Sequence, residues 1–496
     1  MLTFEKALPE ETGIPSGCII DFINRLKAHE VPMHSFLLLH RNKLIAECYY
    51  SPCNADTLHR MFSISKSFTS IAVALLADEG KISLDDVIIK YFPDKVPVDV
   101  HPWIANMTIR DMLMMRTCHA STTYKLDLKK DWVESFFTVP PTHPAGRIFH
   151  YDTSSAHTLC ALVERLTGRP MLVYLKEKLS VLGLSEESYM ITDPFGTSLG
   201  GSGLVATSMD LMKFGYLIHH KGHIDGIQLV SSEYIETATS HLTDTVATAP
   251  VLSEACGYGY QFWRNQKGGF VCYGMGGQLI IFLPKQDMIC VTTADTQGIG
   301  GGNQLIYDAL YEEILPFISD GPLPVDPDAC NYYAGFLANL QMEPLKGNMN
   351  SPMLKKVNNI NYHVQANPMG FSDVSLEFIP EKQVSALSSE NLSKKNSDNT
   401  YAAGILHFTL NNENHSFRFG FGKLLTGNFP VYHLNYAASA VWLDDVTLYI
   451  KIHIIDSYVG SIKFEISFGE NDAVIFMKKQ EESLFHEFDG HLYCTI

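Results

Sequence analysis

No apolar run in this 496-residue chain approaches the ~20 residues that a membrane-spanning helix needs; Ile71 to Ala77 is among the longest. The N-terminus, MLTFEKALPEETG, lacks the cationic segment and apolar stretch of a secretory signal. No CxxC pair occurs among the ten cysteines, and the nearest two, Cys48 and Cys53, have no second half. Several, such as Cys272 and Cys290, sit inside apolar strand patterns. A reduced, cytoplasmic protein with structural thiols is expected. Positive charge is also scarce: Lys+Arg number 37 against 54 Asp+Glu, a net charge of −17. That balance argues against nonspecific nucleic-acid binding and against adhesion to anionic lipid, so neither nucleic acid nor membrane is an expected partner. No internal repeat is evident.

What is present is ordinary globular composition, 46% hydrophobic and 18% charged, which sets disorder aside as the overall description. Residues 14–28 carry Ile19, Phe22, Ile23 and Leu26 at helical spacing. Ser35–His40 and Lys43–Tyr50 read as strands around a polar turn. Residues 63–79 form a helix whose middle is apolar all round, so it must be buried on every side. Further helical patterns cover 108–116, 155–167, 170–182 and 207–220. From 257 the chain reads as short strands: Tyr258–Trp263, Phe270–Tyr273, Gln278–Leu283 and Met288–Thr293. A helix over 303–317 closes the unit. Strands at both ends with helices between them predict one antiparallel sheet with a helical insertion. The fold class is therefore α/β (α+β).

Three prolines and a glycine in ISDGPLPVDPDAC (318–330) mark a linker. We expect an N-terminal domain over 1–320, a linker over 321–345 and a small β-rich domain over 346–496. In the last, Ile405–Leu410 and Ser416–Phe421 form a hairpin. Val431–Leu434, Val446–Ile455, Ser461–Phe468 and Ala473–Lys478 continue the strand pattern, and the polar stretch 381–400 reads as loop. A β-barrel or sandwich fits.

The sharpest chemical feature is Ser63-Ile-Ser-Lys66, where Ser63 is the only serine followed three residues on by lysine. On a helix that spacing puts both side chains on one face. Ser63 at the helix start meets the positive end of the dipole and unpaired backbone N–H groups. A lysine drawn into an apolar helix is desolvated, which favours the neutral amine that can take a serine proton. A helix cap with a snorkelling lysine is the plainer alternative.

The context favours chemistry. Leu58-His-Arg-Met-Phe-Ser63-Ile-Ser-Lys66-Ser-Phe-Thr-Ser70 resembles the beta-lactamase-related serine hydrolases, the family of penicillin-binding proteins, class C β-lactamases and many esterases and amidases. Thr108-Ile-Arg-Asp-Met-Leu-Met-Met115, Phe149-His-Tyr151-Asp-Thr-Ser-Ser155, Gly201-Ser-Gly-Leu-Val-Ala-Thr-Ser-Met-Asp-Leu211 and Tyr273-Gly-Met-Gly-Gly-Gln278 resemble further family segments, in family order. The resemblance covers about residues 10–318. It implies a β-lactamase/transpeptidase-like antiparallel sheet flanked by helices. Trp442-Leu-Asp-Asp445 with Thr447-Leu-Tyr-Ile450 resembles the lipocalin-like β-domain appended to some members.

The resemblance further implies Ser63 as acylated nucleophile, Lys66 as its base and Tyr151 as proton relay. A Lys66 cation beside Tyr151 would favour phenolate. The backbone N–H groups of Ser63 and Gly274 would form the oxyanion hole. Substrate contacts fall to Thr153, Tyr273, Met275 and His150. Two departures shape the expected activity. Thr153 stands where the family has asparagine, with fewer donors. Val271-Cys272-Tyr273 stands where the family has K-T-G, so the cation that holds the carboxylate of β-lactams and stem peptides is missing. An ester or small amide is thus the expected substrate, with weak or no β-lactamase activity. The alternatives are a D-amino-acid peptidase or β-lactamase, and an idle ligand-binding scaffold.

No metal or organic cofactor is expected. His119, His150 and His157 have no metal-ligand spacing. Gly298-Ile-Gly-Gly-Gly302 lacks a G-K-[ST] ending and reads as a pocket lining or connector. A homo-oligomer is compatible with the sequence.

Overall fold

The computed structural model describes residues 1–249, 251–381 and 401–496. The chain divides into two compact units: Met1–Tyr49 with Asn54–Leu340, and Tyr50–Cys53 with Gln341–Ile496.

The first unit contains helices α1 (Ser16–Ala28), α2 (Ile64–Asp78), α3 (Thr153–Thr167), α4 (Ser208–His219), α5 (Ser232–Ala238), α6 (Gln304–Ala309) and α7 (Pro327–Ala338). Its main strands are β1 (Met33–His40), β2 (Lys43–Tyr49), β3 (Phe270–Gly274), β4 (Gln278–Leu283) and β5 (Met288–Ala294). The sheet order is Glu5–Lys6, β2, β1, β5, β4, β3, Trp263–Arg264. Chain start and chain middle therefore meet at the β1–β5 pair, and only Glu5–Lys6 joins in parallel. This is the two-ended sheet with a helical insertion that the strand pattern predicts.

Every residue of α2 from Ile64 to Leu76 is buried, as a helix without a polar face requires. Phe68 of α2 stacks on Phe214 of α4 at 3.8 Å between ring centroids. The helix is thus held in the core from Ile64 to Leu76, and it reaches solvent only at its C-terminal end, where Ala77 is half-buried and Asp78 exposed.

Several expected elements differ. Tyr258–Trp263 is a tight turn rather than a strand. Gly257 (φ +105°) and Gln261 (φ +67°) bend it, and Tyr258 bridges both Thr243 and Trp263. All four aromatic side chains there are buried, so their alternation reflects packing from two sides, not a pleat. The helix expected over 303–317 breaks into α6, a π-turn at Leu310–Ile314 and a 3₁₀ turn at Leu315–Phe317, where Pro316 has no N–H to continue it. Within 321–345, expected as linker, α7 forms behind an Asp326 cap whose carboxylate accepts from the backbone N–H of Asp328 at 2.9 Å.

The second unit is a closed barrel. Its strands are β6 (Asn361–Val364), β7 (Phe371–Pro380), β8 (Tyr401–Leu410), β9 (Glu413–Phe421), β10 (Leu425–Phe429), β11 (Leu434–Trp442), β12 (Thr447–Ile455), β13 (Val459–Phe468), β14 (Asp472–Lys479) and β15 (Gly490–Thr495). The ring runs β9, β8, β7, β6, β15, β14, β13, β12, β11 and back to β9, with β10 attached to β11. The closing β9–β11 pair is parallel and the others are antiparallel, as an odd-numbered ring of alternating strands demands. The interior is filled by side chains such as Phe408, Phe417, Phe464 and Phe488. Closure removes the exposed edges that a sandwich would keep. Val431–Leu434, expected as a strand, holds the β10–β11 turn, with Val431 and His433 at positive φ. The polar stretch 381–400 lies outside the described residues beyond 381.

Candidate active site

Ser63 opens α2, and the residue before it is strained. Phe62 is buried at φ +45°, a left-handed conformation that costs a bulky side chain about 1–2 kcal/mol. The turn leaves Ser63 partly exposed while Ile64 onward is buried. One turn later Lys66 is only 1% exposed. Its Nζ donates to Ser63 Oγ at 2.9 Å, to the carbonyl of Gly201 at 2.7 Å and to Thr153 Oγ1 at 3.4 Å. The Gly201 approach requires glycine: a Cβ there would meet Thr153 Cγ2 at 2.5 Å.

Tyr151 comes from the segment leading into α3. Its ring lies under Lys66, with Nζ 4.7 Å from the ring centroid and the Trp263 ring 5.3 Å away, and its phenol interacts with the Ser63 and Trp263 side chains, which pull its pKa down. The structure thus brings Ser63, Lys66, Tyr151 and Thr153 into one cluster.

The phenol departs from expectation. Burial pushes Tyr151 above the ordinary tyrosine range, outweighing the hydrogen bonds from Ser63 and Trp263 that pull it down, and the Glu254 carboxyl raises it further. The balance favours the protonated phenol over the phenolate. Lys66 Nζ sits over its face, 4.7 Å from the ring centroid.

Two carboxyl groups near the cluster are also held toward neutrality. Asp152 is raised by burial against the hydrogen bonds that Ser154 gives it, and Lys66 lowers it only in part. Glu254 is fully buried and raised well above the usual range, with one oxygen accepting from Tyr307 Oη at 3.0 Å.

β3 ends beside the start of α2. A Cβ on Gly274 would sit 2.4 Å from the carbonyl of Met61, so glycine permits this contact. The strand carries Val271, an apolar side chain that is fully buried. Tyr273 is half-buried, its ring 6.1 Å from that of Trp263. Met275 is half-buried in the β3–β4 turn, and its carbonyl accepts from Gln278. His150 is half-buried, its backbone N–H donating to the Met115 carbonyl at 2.8 Å. The Gly298–Gly302 loop belongs to a connection folded on this turn: Thr296 N–H donates to Gly276, and Asn303 donates to the carbonyl of Gly274 at 3.3 Å.

His119 and His157 are buried in packing roles. His119 Nε2 meets the Phe136 carbonyl at 3.0 Å, and burial pulls the imidazole down to about 4. His157 Nε2 meets Asp193 Oδ2 at 3.0 Å. Gly201, Trp263 and Glu254 were not singled out from sequence as parts of this site. Gly201 contributes only a carbonyl, which no side-chain pattern announces. Trp263 sits in an aromatic alternation that suits core packing or the wall of an apolar cleft, and nothing in the pattern around Glu254 marks it.

An alcohol, an amine and a phenol in one hydrogen-bonded group, at a helix N-terminus, can pass a proton around a nucleophilic oxygen. The family model for Beta-lactamase matches residues 20–307, more than half of the chain, and the chain belongs to that family. Its first unit has the β-lactamase/transpeptidase-like fold of the hydrolases in it. Among characterised relatives, 6-aminohexanoate-dimer hydrolase of Paenarthrobacter ureafaciens is 23% identical over 290 residues, 53% of this chain and 73% of the relative. The octameric penicillin-binding protein homologue from Pyrococcus abyssi is 16% identical, with a TM-score of 0.47 over 96% of this chain and 99% of that one. A penicillin-binding protein homolog from Caulobacter crescentus is 16% identical, with a TM-score of 0.48 over 63% and 99%.

Proposed function

We propose that the protein is a serine hydrolase that forms an acyl-enzyme on Ser63 and acts on an ester or small amide. The observation that carries this reading is the 2.9 Å contact between Lys66 Nζ and Ser63 Oγ. As a neutral amine Lys66 has two N–H donors, which suit Gly201 O and Thr153 Oγ1, and one lone pair left for the Ser63 proton. In acylation the proton moves from Ser63 to Lys66 while Oγ bonds to the acyl carbon. The carbonyl electrons move to oxygen, facing the N–H groups of Ser63 and Gly274. Collapse breaks the bond to the leaving group, which takes the Tyr151 proton, and the Lys66 ammonium replaces that proton. A water then attacks the ester; its proton returns by the same groups, and Ser63 regains its hydrogen.

The substrate class follows from two supports. Val271 offers no charge for the carboxylate of a β-lactam, so nitrocefin is expected to turn over poorly. A curated relative is named for hydrolysis of an amide, the 6-aminohexanoate dimer, which keeps small amides alongside esters. A fluorophosphonate probe is expected to add once per chain, and Ser63→Ala to abolish labelling with the fold retained. Equal labelling of Ser63→Ala, or none of folded wild type, would overturn the assignment.

A further inference from the structure

Apart from the Ser63 cluster, a cavity of about 380 Å³ opens in the first unit between α4, α5 and the sheet edge where Arg264 pairs with Phe270. Its size falls in the range of small-molecule sites. Ile218, Ile235, Phe270 and Pro284 supply apolar wall.

The charges on the lining do not balance evenly. Lys221 has Glu236, its Nζ 2.5 Å from Oε1. His219 has Asp287 at 2.7 Å, and His241 has Asp244 at 3.0 Å. Arg264 is the exception: among the described residues no carboxylate pairs with it. Its guanidinium is half-buried and donates to two neutral carbonyls, Thr239 O at 2.7 Å and Gly268 O at 2.8 Å. Burial pulls its pKa below the ordinary arginine value, since no carboxylate offsets the desolvation. Two carbonyl bonds leave three of the five guanidinium N–H donors. A desolvated cation without a counter-ion costs free energy that a bound anion recovers. Nδ1 of His219 is also buried without a partner, because Nε2 is the atom facing Asp287.

We propose that this cavity binds a small amphipathic carboxylate, its head group on Arg264 and its apolar chain against Ile218, Ile235 and Phe270. One unpaired cation matches a single negative charge, and the planar fork of arginine matches a carboxylate. A phosphate dianion would call for a second unpaired cation. Arg264 follows Trp263 in the chain, but none of the residues that line this cavity is Ser63, Lys66, Tyr151, Thr153 or Trp263, so its wall is distinct from that of the Ser63 cluster.

The test is calorimetric titration of the full chain with octanoate, with octylammonium and inorganic phosphate as controls. Wild type is expected to bind one octanoate saturably, octylammonium not at all and phosphate more weakly. Arg264→Gln is expected to weaken octanoate about ten-fold or more. Ser240→Glu keeps Arg264 but adds a carboxylate at the cavity, and is expected to weaken octanoate as much. It serves as the second variant should Arg264→Gln fail to fold. Octanoate binding unchanged in both folded variants, octylammonium binding as well as octanoate, phosphate binding as tightly as octanoate, or no saturable octanoate binding in wild type would each overturn the proposal. None of these readouts uses turnover at Ser63, so the outcome is independent of the reading above.

Discussion

At the scale of single residues, burial decides the protonation of the site. Tyr151 was expected to be drawn toward phenolate by a cation, yet desolvation favours the protonated form, and Lys66 lies over the ring face. In the proposed reaction the phenol would act as a proton donor. Tyr151→Phe keeps the ring packing and is expected to lower kcat by ~10²-fold or more; activity at the wild-type level would remove the hydroxyl from the mechanism. Glu254 follows the same logic. Its folded-state pKa is raised, so the unfolded chain ionises first as pH climbs above about 4.5, and the native state pays an increasing penalty up to its own pKa. Glu254→Gln is expected to raise the urea midpoint at pH 7 and leave it unchanged near pH 4. A lower midpoint at pH 7 would show that the carboxylate is ionised and paired. The pairing of Ser63 with Lys66 was expected from their spacing, and Tyr151 only from the family resemblance; the structure brings the three side chains together. The state of the phenol was not legible in the sequence, because it depends on what surrounds it.

At the scale of elements, the site is made where an apolar helix, a strand end and a backbone carbonyl converge. α2 was legible from its lack of any polar face, and β3 to β5 from their short apolar runs between turn residues. The turn over Tyr258–Trp263 was not, because aromatic alternation suits a strand and a two-sided packed turn equally. That turn brings Trp263 to Tyr151, with ring centroids 5.3 Å apart. Trp263→Phe removes the indole N–H bond that lowers the phenol, so the alkaline limb of the kcat profile is expected to move up in pH; a shift downward would contradict this. Gly201 positions Lys66 through its carbonyl. Gly201→Ala is expected to cost activity with little loss of fold, since the new Cβ meets Thr153 and displaces the carbonyl that Lys66 uses. Activity unchanged in that variant would mean that the carbonyl does not orient the amine.

At the scale of the whole molecule, the chain is two compact units with separate cores. The composition shift after residue 318 led to the expectation of two domains, while the closure of the barrel had no such signal: closure rests on the β9–β11 pairing, a non-local contact that no local pattern encodes. Each unit buries an imidazole. Burial pulls His40 down to about 4 in the first unit, and His453 well below its usual value in the second. Their neutral forms add stability that is complete above pH 6.5 and lost as pH falls toward the folded values. The advantage of wild type over His40→Gln in urea unfolding is expected to shrink between pH 6.5 and 4; an advantage that grows with acid would reverse the sign.

The proposed reaction turns on covalent capture by one hydroxyl. Wild-type protein mixed with a p-nitrophenyl ester and quenched in acid within the first turnover should gain the mass of one acyl group, on the peptide that contains Ser63. Release of p-nitrophenol with no adduct, or with the acyl group on another residue, would contradict it.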